Sequence, residues 1–118
     1  MKERQLTVLI AAPRPKDRDA LRETLSGGQL AHYTVIEAED WAGALDLRRA
    51  RKPDCIILDH ELPDIDALES LKILAAKDES PACGLILLVD DGDARLAVEA
   101  MKTGAHDCLE RNRARGEV

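Results

Sequence analysis

The sequence predicts an α/β domain, a doubly wound parallel sheet of five strands with helices on both faces. Three observations lead there. The runs TVLIAA, CIIL and LILLV are continuously apolar rather than alternating, as strands covered on both faces are. Amphipathic segments with helical spacing lie between successive runs. Strand and helix therefore alternate strictly, and right-handed βαβ crossovers then place helices on both sides of one sheet.

The first strand is expected over Leu6 to Ala12. A helix follows over Pro15 to Ser26, with Ala20, Leu21 and Leu25 on its apolar face and Gly27-Gly28 as its stop. The second strand spans Tyr33 to Ala38. Asp40 can then cap a helix through Trp41, Ala44, Leu45 and Leu47 that must end by Pro53. Trp41, the only tryptophan, is either a packing anchor or a contact residue. The third strand, Cys55 to Leu58, runs straight into Asp59. Asp66 can cap a helix over Ala67 to Ala76, with Leu68, Leu71 and Leu74 on one face. Leu85 to Val89 forms the fourth strand. Asp93 can cap Ala94 to Thr103, striped by Leu96, Ala97, Ala100 and Met101 and ended by Gly104. The fifth strand, His106 to Glu110, is the least apolar. Only Arg111 to Val118 follow, polar and glycine-containing, so a fifth helix is expected to be short or missing. Residues 1–118 are read as a single domain, the N-terminal part of a longer chain.

At 118 residues the chain can bury roughly two-thirds of its unfolded surface without metal or disulfide support. Phe is absent, so Leu, Ile, Val and Ala must build the core. A net charge of −6 argues against nucleic acid as the main partner, because phosphate neutralisation needs clustered Lys and Arg. No apolar run approaches the roughly 18 residues of a membrane span, and the N-terminus has no signal-peptide core. Cys55, Cys83 and Cys108 are odd in number and lack CxxC spacing, which suits small core residues in a reduced, cytoplasmic protein.

Function in an open parallel sheet is expected beyond the carboxyl ends of the strands. Ala12, Pro13 and Arg14 stand there after the first strand, and Asp59, His60 and Glu61 after the third. Val89, Asp90 and Asp91 follow the fourth strand, and Arg111 and Asn112 the fifth. No GxGxxG or GxxxxGK[ST] cradle, zinc-type His or Cys spacing, or GxSxG elbow is present. No nucleophile is paired with a base, so the domain is not expected to be an enzyme. Asp59 is either an incidental turn residue or a carboxylate placed for chemistry.

The stretches LDHELPDIDALE and AVEAMKTGAHDCLE, with the order of elements, resemble a response-regulator receiver domain from Leu6 to about Asn112. The resemblance implies a flavodoxin-like fold with strand order 2-1-3-4-5. It implies cytoplasmic signalling by phosphorelay, with Asp59 as phospho-acceptor or its remnant. Receivers hold Mg²⁺ with an acidic pair after the first strand and with a backbone carbonyl, here that of Glu61. A Ser or Thr ending the fourth strand and a Lys ending the fifth complete the family's pocket.

Every helper departs from that pattern. Ala12 and Pro13 stand at the acidic pair and ligate nothing, and Val89 stands at the hydroxyl. Arg111 replaces the lysine and Asn112 the proline after it. Cys108 replaces a strand-five aromatic, and Ala67 the glycine after the LPD turn. The expected pocket is therefore degenerate, with Asp59 paired to Arg14 or Arg111 and no cofactor. Mg²⁺ is expected only if the acceptor works, and then from Asp59, Glu61, Asp90 and Asp91, although adjacent acids before a glycine are ordinarily a solvated turn. The implied partners are a sensor kinase or an output or sensor module, with a homodimer possible and neither nucleic acid nor membrane involved. Two alternatives stand: a fully functional Mg-dependent receiver, and a flavodoxin-like module binding a small ligand.

Overall fold

The computed structural model describes residues 5–27, 32–76 and 83–111. Five strands, β1 (Gln5–Ala11), β2 (His32–Ala38), β3 (Cys55–Asp59), β4 (Gly84–Val89) and β5 (Asp107–Glu110), form one parallel sheet in the order β2-β1-β3-β4-β5. Four helices, α1 (Pro15–Ser26), α2 (Trp41–Arg51), α3 (Ala67–Ala75) and α4 (Ala94–Thr103), connect them. The expected elements are all present, with ends shifted by one or two residues. The expectation of a short or missing fifth helix and the position of Asn112 fall on 112–118, outside the described residues.

Helix starts follow from local chemistry. Pro15 opens α1 with a fixed φ and no amide to satisfy. The carboxylates of Asp40, Asp66 and Asp93 accept from the amides of Gly43 (2.7 Å), Glu69 (3.3 Å) and Leu96 (3.1 Å), each capping its helix. Asp64, in the turn after β3, adds a cap from a distance. Its two oxygens accept from the amides of Trp41 (2.8 Å) and Ala42 (3.0 Å), tying the start of α2 to the loop beyond Asp59. Those hydrogen bonds outweigh the cost of desolvation and hold the Asp64 carboxyl below the usual range.

The alternation of side chains along each strand makes two unequal cores. Leu9, Ala11, Ile56, Leu58, Leu87 and Val89 face α2, α3 and α4, packing with Trp41, Ala44, Leu71, Leu74 and Ala100. Trp41 is buried there, so it is a packing anchor. Each large aliphatic chain removed from water contributes about 1.5–3 kcal/mol. Val8, Ile10, Ala12, Ile57 and Leu88 face the other way, where Leu21 of α1 is the buried partner. On this side an open groove of about 450 Å³ runs between Leu6, Tyr33, Ile57 and Ile86. The three thiols are free and half-buried; burial pushes Cys55 up to about 11 and raises Cys83 and Cys108, so all three are protonated near neutrality.

Gly104 ends α4 at φ 140°, where a Cβ would stand 2.7 Å from that of Ala75. Gly104→Ala should therefore lower the unfolding free energy by about 1–3 kcal/mol in urea titration. A loss below about 0.5 kcal/mol would show that the turn relaxes without strain.

Candidate functional site

Pairing with β4 carries β3 to the carboxyl edge of the sheet, where Asp59 stands opposite Leu88 and the His60 amide donates to the Leu88 carbonyl (3.0 Å). Asp59 is 2% exposed. Its Oδ1 accepts from the Glu61 amide at 2.9 Å, which fixes the turn. A buried carboxylate needs a partner, and β5 supplies one. Arg111, the residue after that strand, brings its guanidinium flat against Asp59 as a bidentate fork, Nη1 to Oδ2 at 2.9 Å and Nη2 to Oδ1 at 2.8 Å. The ion pair expected from the sequence is present, and Arg111 makes it.

The same guanidinium reaches three more carboxylates. Nη1 donates to Asp17 Oδ2 at 2.5 Å, Nη2 to Glu61 Oε1 at 3.1 Å, and Nε to Asp90 Oδ1 at 3.1 Å. A guanidinium has five N–H donors in a planar fork, and here all five are used. These interactions, led by the bonds to Asp59, outweigh desolvation and raise the Arg111 pKa, so the cation is permanent. The hydrogen bond from Arg111 likewise holds Asp90 below the usual carboxylate range.

Arg14, half-exposed, stands over the cluster. Its Nη2 pairs with Glu61 at 2.9 Å, while its Nη1 is 3.7 Å from Asp17 and 3.9 Å from Asp59. Four carboxylates around two guanidinium groups leave a formal charge of −2 at the rim. His60 Nε2 lies 3.2 Å from Asp90 Oδ2, a contact that joins Arg111 in holding the Asp90 carboxyl down.

The remaining candidates occupy structural roles. Ala12 is buried, and its carbonyl accepts from Arg18 Nη1 at 2.6 Å. Pro13 leads into α1. Val89 is part of the core toward α2, α3 and α4 and carries no donor. Asp90 joins the cluster, whereas Asp91 is exposed in the turn after β4.

Asp17 escaped the sequence reading, as did the contact that His60 makes. Asp17 is 1% exposed, in the first turn of α1. The signal was its place four residues before Leu21, on the stripe that faces the sheet. His60 was read only as a neighbour of Asp59, and period-two alternation gives no hint that it meets Asp90.

These residues do not fit the divalent cation that receivers hold at this edge. Ala12 and Pro13 offer no ligating side chain, and both oxygens of Asp59 already accept from Arg111. Asp59, His60 and Glu61 do present ligand atoms within 4.8 Å of one another, with the guanidinium in contact with two of the three.

The family model of the response regulator receiver domain matches residues 8–118. Over 108 residues the chain is 37% identical to the C4-dicarboxylate transport transcriptional regulatory protein DctD of Pseudomonas aeruginosa, covering 91% of this chain and 22% of that protein. It is 38% identical over 96 residues to the transcriptional regulatory protein FixJ of Azorhizobium caulinodans, covering 80% of this chain and 44% of that one. The chain thus spans less than half the length of either relative. The chemotaxis response regulator CheY4 of Vibrio cholerae superposes with a TM-score of 0.78 at 22% identity, over 91% of this chain and 87% of that one, which shows the shared fold. Strand order, the acid closing β3 and a family match over most of the sequence agree: this chain belongs to the response-regulator receiver domains of two-component signalling.

Proposed function

We propose that this receiver domain has a degenerate phospho-acceptor pocket and acts by protein–protein contact rather than as an enzyme or a Mg-dependent switch. The observation that carries the reading is the guanidinium of Arg111, saturated by four carboxylates and seated on Asp59. A planar guanidinium suits a phosphoryl group once formed, so the barrier lies in the transfer. An anionic donor must approach a rim of formal charge −2 and displace one arm of a buried pair, with no metal to bridge the oxygens. Phosphoryl transfer depends almost wholly on positioning and charge stabilisation, and losing a metal's share costs several kcal/mol, or several decades in rate.

Contact surfaces remain when the chemistry is lost. On α4 and β5, Val98 is 52% and Met101 49% exposed, beside an open groove of about 500 Å³ reaching Lys102, Asp107 and Cys108. An exposed apolar patch with charges at its border suits a partner protein, here a sensor kinase or an output or sensor module within a cytoplasmic phosphorelay. Nucleic acid has no basic patch to bind in this reading, and no described helix is long and apolar enough to cross a membrane.

Incubation with acetyl phosphate and Mg²⁺, read by intact mass, should label Asp59 at least about a hundredfold more slowly than a receiver with the acidic pair. Brisk Mg-dependent labelling that disappears in Asp59→Asn would overturn the proposal. Restoring the family's groups in Ala12→Asp/Pro13→Asp/Arg111→Lys should bring back Mg-dependent uptake. Arg111→Ala should cost about 3–5 kcal/mol in urea denaturation, because it strands buried carboxylates. Arg14→Ala, at an exposed pair, should cost less than about 1 kcal/mol. Similar losses for the two would mean that the buried fork is not what holds this edge together.

A further inference from the structure

We propose that this chain associates with a second copy of itself, the outer stripe of α4 in one copy seating in the open groove beside α1 in the other. The groove encloses about 450 Å³ between Leu6, Val8, Leu25, Tyr33, Ile57 and Ile86. It exists because the two faces of the sheet are covered unequally. Three described helices, α2, α3 and α4, pack on one face, whereas α1 alone lies on the other, against β1 and β2. The strands are apolar toward both faces, so Tyr33, Cys55 and Ile86 are left only partly buried.

A second observation supplies the occupant. Among the described residues, the exposed large hydrophobics are Val98 and Met101, and both stand on α4. Their spacing of three places them on one side of the helix, with Arg95 and Lys102 beside them and buried Ala100 opposite. One molecule thus carries an apolar ridge without a groove and an apolar groove without a ridge. Two different surfaces that fit each other make a heterologous contact between copies. Charge agrees with that fit. Asp54 stands exposed at the groove, its Oδ2 accepting from the Thr7 amide at 2.9 Å, and no described cation pairs with it. Arg95 and Lys102 border the ridge, so each end of the contact brings the sign that the other lacks. Copies of net charge −6 repel at long range, which keeps the association weak. The inference rests on the reading of α4 as a contact surface and names its occupant. A copy docked in this way cannot offer Val98 and Met101 to a kinase or an output module.

Sedimentation equilibrium of the 118-residue chain alone, at about 0.15 M salt, tests the proposal. The weight-average mass should rise above 13.0 kDa with concentration, with a dissociation constant on the order of 100 µM, as suits a small interface. Val98→Asp on the ridge should weaken association at least about tenfold, and so should Leu25→Lys at the groove. Both side chains reach the surface, so folded variants are expected, and circular dichroism checks it. Mixing the two variants should restore association, because one keeps an intact groove and the other an intact ridge. A mass fixed at 13.0 kDa up to about 1 mM would leave the groove to another occupant and overturn the proposal. So would association lost in Val98→Asp but kept in Leu25→Lys, the signature of a symmetric contact between two α4 helices. A mixture no more associated than either variant alone would overturn it too. No kinase, phosphoryl donor or metal is present, so this measurement and the acetyl phosphate labelling can succeed or fail separately.

Discussion

The carboxyl edge of this sheet depends on one side chain. Arg111 follows the last strand, yet it meets carboxylates from α1, from the end of β3 and the turn after it, and from the turn after β4. Its partners in sequence lie as far as 94 residues away, so a single guanidinium closes the longest loops in the fold. Burying a charge this deeply costs several kcal/mol, which the attraction of the surrounding anions offsets only when every donor is matched. The saturation of all five donors is what makes the arrangement tenable.

That requirement explains the asymmetry between the two layers. Toward α2, α3 and α4 the sheet is dry, closed by leucines, a tryptophan and small alanines. Toward α1 the contact is largely ionic at its upper end. Asp17 faces Arg111; Arg18 reaches the Ala12 carbonyl and Glu37 (3.1 Å); Arg22 also pairs with Glu37. Apolar contact tolerates small sliding, whereas bidentate pairs hold their geometry or lose most of their energy. One arrangement of this cluster satisfies every group, and an alternative would strand several buried charges.

The sheet and helices were legible in the sequence because their causes are local. Continuous apolar runs mark doubly covered strands. Each capping aspartate accepts from an amide three residues on, a distance that a reader of one segment can see. Asp64 was legible only in part: its place in the turn was clear, but its hold on Trp41 and Ala42 crosses 23 and 22 residues. Asp17 is the instructive miss. An acid in a helix's first turn ordinarily serves the macrodipole, so its place alone asks for no distant partner. Its spacing from Leu21 placed it on the buried stripe, where an unpaired carboxylate is costly, and a cation had therefore to be found for it elsewhere in the chain.

The departures from the receiver pattern at 12, 13 and 111 are then one change rather than three. An ammonium has three donors around a point charge and cannot serve Asp59, Asp17, Glu61 and Asp90 together; a planar fork with five can. Once Asp17 enters the cavity from α1, the cation at position 111 has an extra anion to satisfy, and arginine answers it. Acids at 12 and 13 would add negative charge to a cluster already in excess of it. Alanine and proline relieve that repulsion, and the Ala12 carbonyl is left to anchor Arg18. Ala12, Pro13 and Arg111, which look like losses beside the family's pattern, fit one balance of charge in the folded chain.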